Sequence, residues 1–157
     1  MQNEKTKSAE KEVTITRILN APCELVFKAW IDVKQVQQWW GPGNFTNPVC
    51  ELDAKVGGKI YIEMKAPDGI VYPMSGIFKE IIPSKKLVFI SAALDKNGDP
   101  LFEISNTILF EDQNGKTKLT VNARVIKTTP NVEQYLSGME EGWSQSLVRL
   151  ENLISKL

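Results

Sequence analysis

The 157 residues, 42% of them hydrophobic and 24% charged, suffice for one domain with a buried core and carry no sign of a second. Nineteen basic residues balance nineteen acidic ones, so the net charge gives no reason to expect nucleic acid, whose usual footprint is a basic face. Histidine is absent, which excludes Ser-His and Cys-His nucleophilic pairs and removes the commonest transition-metal ligand.

The opening MQNEKTKSAEKE is polar and lacks the apolar run of a secretory signal. Residues 1–11 are therefore expected to form a tail, with one domain over 12–157. No apolar run approaches a membrane span, so no membrane insertion is expected, and the location expected is the cytoplasm. Cys23 and Cys50 lack metal or redox spacing and read as free thiols of a reducing compartment. No metal and no cofactor is expected.

EVTITRIL, from Glu12, alternates, with Val13, Ile15, Arg17 and Leu19 in one row, and predicts a strand. Pro22 suits the first turn of a helix carrying Leu25, Val26, Ala29 and Trp30. Asp32 and Gln35 form a capping-box pattern for a second short helix, which carries Val36, Trp39 and Trp40 and stops at Gly41-Pro42. A run of β pattern follows to about Val125. It comprises VCELD, KIYIEM, VYPMSGIFKEII, KLVFISA, LFEISNTILFE and TKLTVNARV, separated by turn signals such as Pro67-Asp68-Gly69 and Asn114-Gly115. Pro73 and Gly76 mark the third of these as an edge or bulged strand. Thr129-Pro130 opens a long amphipathic helix through Leu157, with Gly138 and Gly142 inside it. Each interior glycine costs about 1 kcal/mol relative to alanine, so a close backbone approach or room for a ligand is expected there. The order predicts an α+β fold. A curved antiparallel sheet of about six to seven strands wraps the long C-terminal helix, and two short helices follow the first strand.

The segments TRILNAPCELVFKAWID, QQWWGPGNF, CELDAKVGGKIYIEM, PDGIVYPMSGIFKEIIPSKKLVF and GMEEGWSQSLVRLENLI together resemble the SRPBCC superfamily of START-like, helix-grip proteins. The branch is the one similar to the C-terminal domain of the activator of the heat-shock-protein-90 ATPase. The resemblance runs from about Glu12 to the end. It implies a helix-grip fold with a mostly apolar cavity under the last helix. The implied function is binding of a small hydrophobic molecule, lipid-like or polyketide-like. Some superfamily members cyclise or hydrolyse such molecules, and one branch contacts a chaperone. No universal catalytic triad comes with the resemblance.

The candidate ligand-binding residues are Trp39, Trp40, Phe45, Met64, Met74, Phe89, Asn106, Tyr135, Met139 and Trp143, with Arg17 as a polar anchor. Each has a plainer alternative. Aromatic rings and methionines at these spacings also fill cores, and Arg17 also suits an ion pair or a sheet edge. Neighbouring helix positions point about 100° apart, so Trp39 and Trp40 are expected to divide between core and cavity rim. Should the chain be a cyclase, dehydratase or hydrolase, its groups would come from cavity carboxylates, Tyr61, Tyr72 or Arg17.

Overall fold

A computed structural model describes residues 12–128 and 138–157. Strand β1 (Glu12–Leu19) leads into helices α1 (Cys23–Ile31) and α2 (Val33–Trp39). Six strands follow: β2 (Thr46–Leu52), β3 (Lys59–Lys65), β4 (Val71–Ile82), β5 (Lys86–Leu94), β6 (Pro100–Gln113) and β7 (Lys116–Thr128). Helix α3 (Met139–Ile154) comes last. The strands form one antiparallel sheet in the order β1-β7-β6-β5-β4-β3-β2. This is the α+β helix-grip arrangement expected from the pattern.

Strands β2 to β7 each lie beside the next in sequence, as short antiparallel connections dictate. Strands β1 and β2 are the exception, standing at opposite edges. Helices α1 and α2 therefore carry the chain across the whole width of the sheet. Together with α3 they cover its apolar face. Alternation supplies that face: Ile62, Phe78, Leu87, Ile108, Leu119 and Val121 are all buried on successive strands. Against them pack Val26 and Trp39 from the short helices and Leu147 and Leu150 from α3.

Several local expectations change. Strand β4 is interior, between β3 and β5, and not an edge. Its irregularity falls between Phe78 and Glu80, away from Pro73. Pro73 is tolerated because it pairs with Glu63 of β3 at a level where the β5 pairing has already ended at Met74. Gly76 is required by close approach, since a Cβ there would lie 2.5 Å from the Ile90 carbonyl oxygen. Asp32 caps α2 by accepting from the Lys34 amide at 3.1 Å. Gln35 meets the Asp32 carboxylate at 3.2 Å, while the Asp32 amide is spent on Lys28 at the end of α1. Gly138 is the N-cap of α3 and not an interior residue, and Leu157 lies exposed beyond the helix. The Thr129-Pro130 start and the 1–11 tail lie outside the described residues.

Candidate functional site

The corner after α2 is built by backbone geometry and then fastened from α3 and from β2. Gly41 takes φ +92°, the left-handed turn that ends helices and that a side chain disfavours. Arg149 of α3 donates from Nη1 to the carbonyls of Trp40, Gly41 and Pro42 at 2.9, 3.1 and 3.0 Å. Its Nη2 reaches the Gln38 carbonyl at 2.9 Å. One planar cation thus satisfies carbonyls that the end of α2 leaves without helical partners. Partial burial lowers the pKa of the guanidinium by desolvation. One turn earlier, Gln145 accepts from the Gly43 amide at 3.0 Å. From the β2 side, Asn47 donates to the carbonyls of Gln37 and Trp40.

The corner holds two members of a closed ring of tryptophans. Trp30 meets Trp39 edge-on at 4.7 Å, Trp39 meets Trp40 at 5.5 Å, Trp40 meets Trp143 edge-on at 5.7 Å, and Trp143 stacks on Trp30 at 6.0 Å. All four tryptophans of the chain are in it. Trp39 is fully buried, and its indole N–H donates to the Ala29 carbonyl at 2.8 Å. Trp40 and Trp143 are half-buried, and both border a hollow.

That hollow has a volume of about 210 Å³. Its walls are the α2 corner (Trp40 to Pro42), the inner ends of β3 to β6, and the first turns of α3. Met64, Met74, Ala93, Phe102 and Ile104 make the sheet side, and Met139, Gly142 and Trp143 the helix side. Its polar side chains are Ser91, Asn106 and Ser146. None of the described lining residues is charged. A Cβ on Gly142 would meet nothing within 4 Å, so the glycine buys open space and not close packing. A groove of about 810 Å³ adjoins the hollow through Pro42, Met64, Met74, Ala93 and Phe102. Deeper in the core, a gap lined by Trp30, Ile62 and Phe89 holds only about 20 Å³.

Of the residues anticipated from sequence, the structure brings Trp40, Met64, Met74, Asn106, Met139 and Trp143 together around the hollow. Asn106 is buried in the wall, its Nδ2 shared among Ser91 Oγ, the Phe89 carbonyl and the Ile104 carbonyl at 2.9 to 3.3 Å. Trp39, Phe89, Phe45 and Arg17 lie elsewhere. Trp39 is a core plug because its helical position turns it about 100° from Trp40. Phe89 is buried between Trp40 and Phe78. Phe45 leaves the corner on the groove side and rests on Tyr72 at 5.9 Å. Tyr135 lies outside the described residues. Arg17 sits half-buried on edge strand β1 and donates to the Thr16 carbonyl at 3.2 Å, away from the hollow. Its place on an edge strand lets a long cationic side chain reach water.

Arg149, Gln145 and Ser146 were not anticipated. The segment GMEEGWSQSLVRLENLI carries both the resemblance and the helical spacing, but a helix periodicity does not reveal which carbonyls an arginine will find. Of the groups named for chemistry, Tyr61 and Tyr72 border the groove together with Glu63 and Asp95, and Arg17 stands apart from it. Tyr61 donates to Glu63 at 2.7 Å, which holds the phenol above its ordinary pKa. Glu80 pairs with Lys86 at 3.2 Å. Burial first, and then the Glu51 charge, raises the Cys50 thiol from 9.0 to about 11.

A family model described as "Activator of Hsp90 ATPase homolog 1-like protein" matches residues 20–155. No curated protein matches the chain. Among solved structures, a protein from Nitrosomonas europaea is 27% identical, with 92% of this chain and 94% of that one covered and a TM-score of 0.79. An uncharacterized protein from Rhizobium leguminosarum shares the fold at 21% identity, TM-score 0.83, over 94% and 96% of the two chains. The AHSA1 protein from Silicibacter pomeroyi shares it at 22% identity, TM-score 0.77, over 92% and 97%. No helix among the described residues is long and apolar enough to cross a membrane.

Proposed function

Because the chain belongs to the Activator of Hsp90 ATPase homolog 1-like family, we propose that it is a cytoplasmic binding protein for a small hydrophobic molecule held between the sheet and α3. The observation that carries this reading is a mostly apolar hollow of about 210 Å³ left open beside an otherwise filled core. The hollow is open to solvent, so an apolar guest takes its mostly apolar lining out of water. Hydrogen bonds from Arg149 and Gln145 tie α3 to the α2 corner, the two elements that wall one side of the hollow.

The hollow itself offers no acid–base group to the enzyme alternative. Tyr61 and Tyr72 border the groove and not the hollow, Arg17 borders neither, and no described carboxylate lines the hollow. The chaperone alternative is favoured by one observation, the family description itself, which names an ATPase activator. Its test is capture of an Hsp90-type chaperone with stimulation of its ATPase.

The test of the binding reading is native mass spectrometry of the purified protein, followed by thermal unfolding with a panel of apolar molecules of one to three rings or short chains. A guest selective for the folded state raises the melting temperature with concentration. A panel that leaves the melting temperature unmoved, with no retained mass, rejects the reading.

A further inference from the structure

We infer that the guest of this hollow is an uncharged molecule of one or two rings bearing a hydroxyl group, which binds at Asn106 and Ser91. The inference rests on the proposed ligand site and adds the class of ligand.

Size comes first. A buried apolar cavity of about 150 Å³ takes up benzene. The 210 Å³ here leaves room for a second fused ring or a few further atoms, and not for a long acyl chain unless it extends into the groove. Trp40 and Trp143 stand edge-to-face at 5.7 Å, which makes an aromatic corner for a flat guest.

Charge comes next. No described lining residue carries a charge, so a buried carboxylate or ammonium would lose its hydration with no ionic partner to replace it. The wall does offer neutral polar groups. Asn106 is 1% exposed, and both of its Nδ2 protons are absorbed by three acceptors in the wall. Its Oδ1 takes part in none of those bonds. Ser91 Oγ accepts one of them at 2.9 Å, which turns its own proton away from Asn106. The pair therefore offers one acceptor and one donor side by side. A hydroxyl answers both: it donates to Asn106 Oδ1 and accepts from Ser91. A ketone or ether answers only the serine, and a hydrocarbon leaves both unanswered, at the cost of desolvating them.

The test is calorimetric titration of the whole protein with four probes on one skeleton: naphthalene, 2-naphthol, 2-naphthoate and protonated 2-naphthylmethylamine. The expected result is 2-naphthol binding at least fivefold more tightly than naphthalene, with both ions weaker than the alcohol by tenfold or more. In Ser91→Ala the preference for the alcohol over the hydrocarbon shrinks to less than twofold, while naphthalene affinity is kept. Naphthalene and 2-naphthol binding equally, or either ion binding best, overturns the inference and leaves the ligand site standing. Failure of all four to bind overturns both.

Discussion

Trp39 and Trp40 are neighbours in sequence with opposite duties. Trp39 fills the core and gives its N–H to Ala29, so truncation leaves both a large void and an unpaired carbonyl. Trp39→Ala is expected to lose roughly 3–5 kcal/mol, seen as a lower urea midpoint at an unchanged slope. Trp40→Ala enlarges a hollow that already exists and loses clearly less. Cys50 gives a pH signature. Burial, and then the Glu51 charge, raises its thiol from 9.0 to about 11, so the folded state holds the proton more tightly. The stability this contributes is fully present below pH 9 and is lost as pH rises from 9 through about 11. The wild type should therefore lose stability relative to Cys50→Ala over that window, measured by chemical denaturation at stepped pH. A constant difference would contradict the burial of the thiol.

Helix α3 is the element on which the site depends. Its buried stripe, Leu147, Leu150 and Ile154, anchors it to the core, while Gln145 and Arg149 grip the α2 corner. Arg149→Met keeps most of the side-chain volume but removes the bonds to four carbonyls, of which Trp40 keeps Asn47 and Pro42 keeps the Phe45 amide. A loss of about 2–3 kcal/mol is expected, the scale of a charged hydrogen bond, together with faster amide exchange at Gly43 and Phe45. Arg149→Lys should recover less than half of it, because a point ammonium cannot span the positions a guanidinium fork reaches. Gly142 tests the opposite side. With nothing within 4 Å of its Cβ position, Gly142→Ala should stabilise the protein by about 0.5–1 kcal/mol through helix propensity alone. Gly142 also lines the hollow, so a methyl added there is expected to weaken uptake of a bicyclic probe at the same time. A stabilised variant with unchanged uptake would place the guest elsewhere.

At the scale of the molecule, two edge strands joined by a helical crossing make a sheet that can curl without closing, and α3 seats along part of the trough. The filled end lies at Trp30, Trp39 and Phe89, and the open end at Trp40, Met139 and Gly142. Much of this was legible in the residues. Period-two alternation assigned Ile62, Leu119 and Val121 to the inner face, period-3.6 spacing assigned Leu147 and Leu150 to the helix stripe, and Gly41-Pro42 ended α2 where it ends. These signals are local, because each is set by backbone geometry over a few residues. Interior position was not legible for β4. A proline weakens a strand only where the neighbouring strand needs its amide, and the end of the β5 pairing is a property of two strands together.

The sequence by itself determined the elements, their antiparallel succession, the inward faces and the family resemblance, since all of these follow from spacing along the chain. Tertiary structure alone decided which tryptophan plugs and which borders the hollow, that Arg149 closes on a corner 107 to 111 residues away, and that about 210 Å³ stays open. The reason is that a void and a clamp are differences between surfaces brought together from distant positions. No periodicity records how far two such surfaces fall short of meeting.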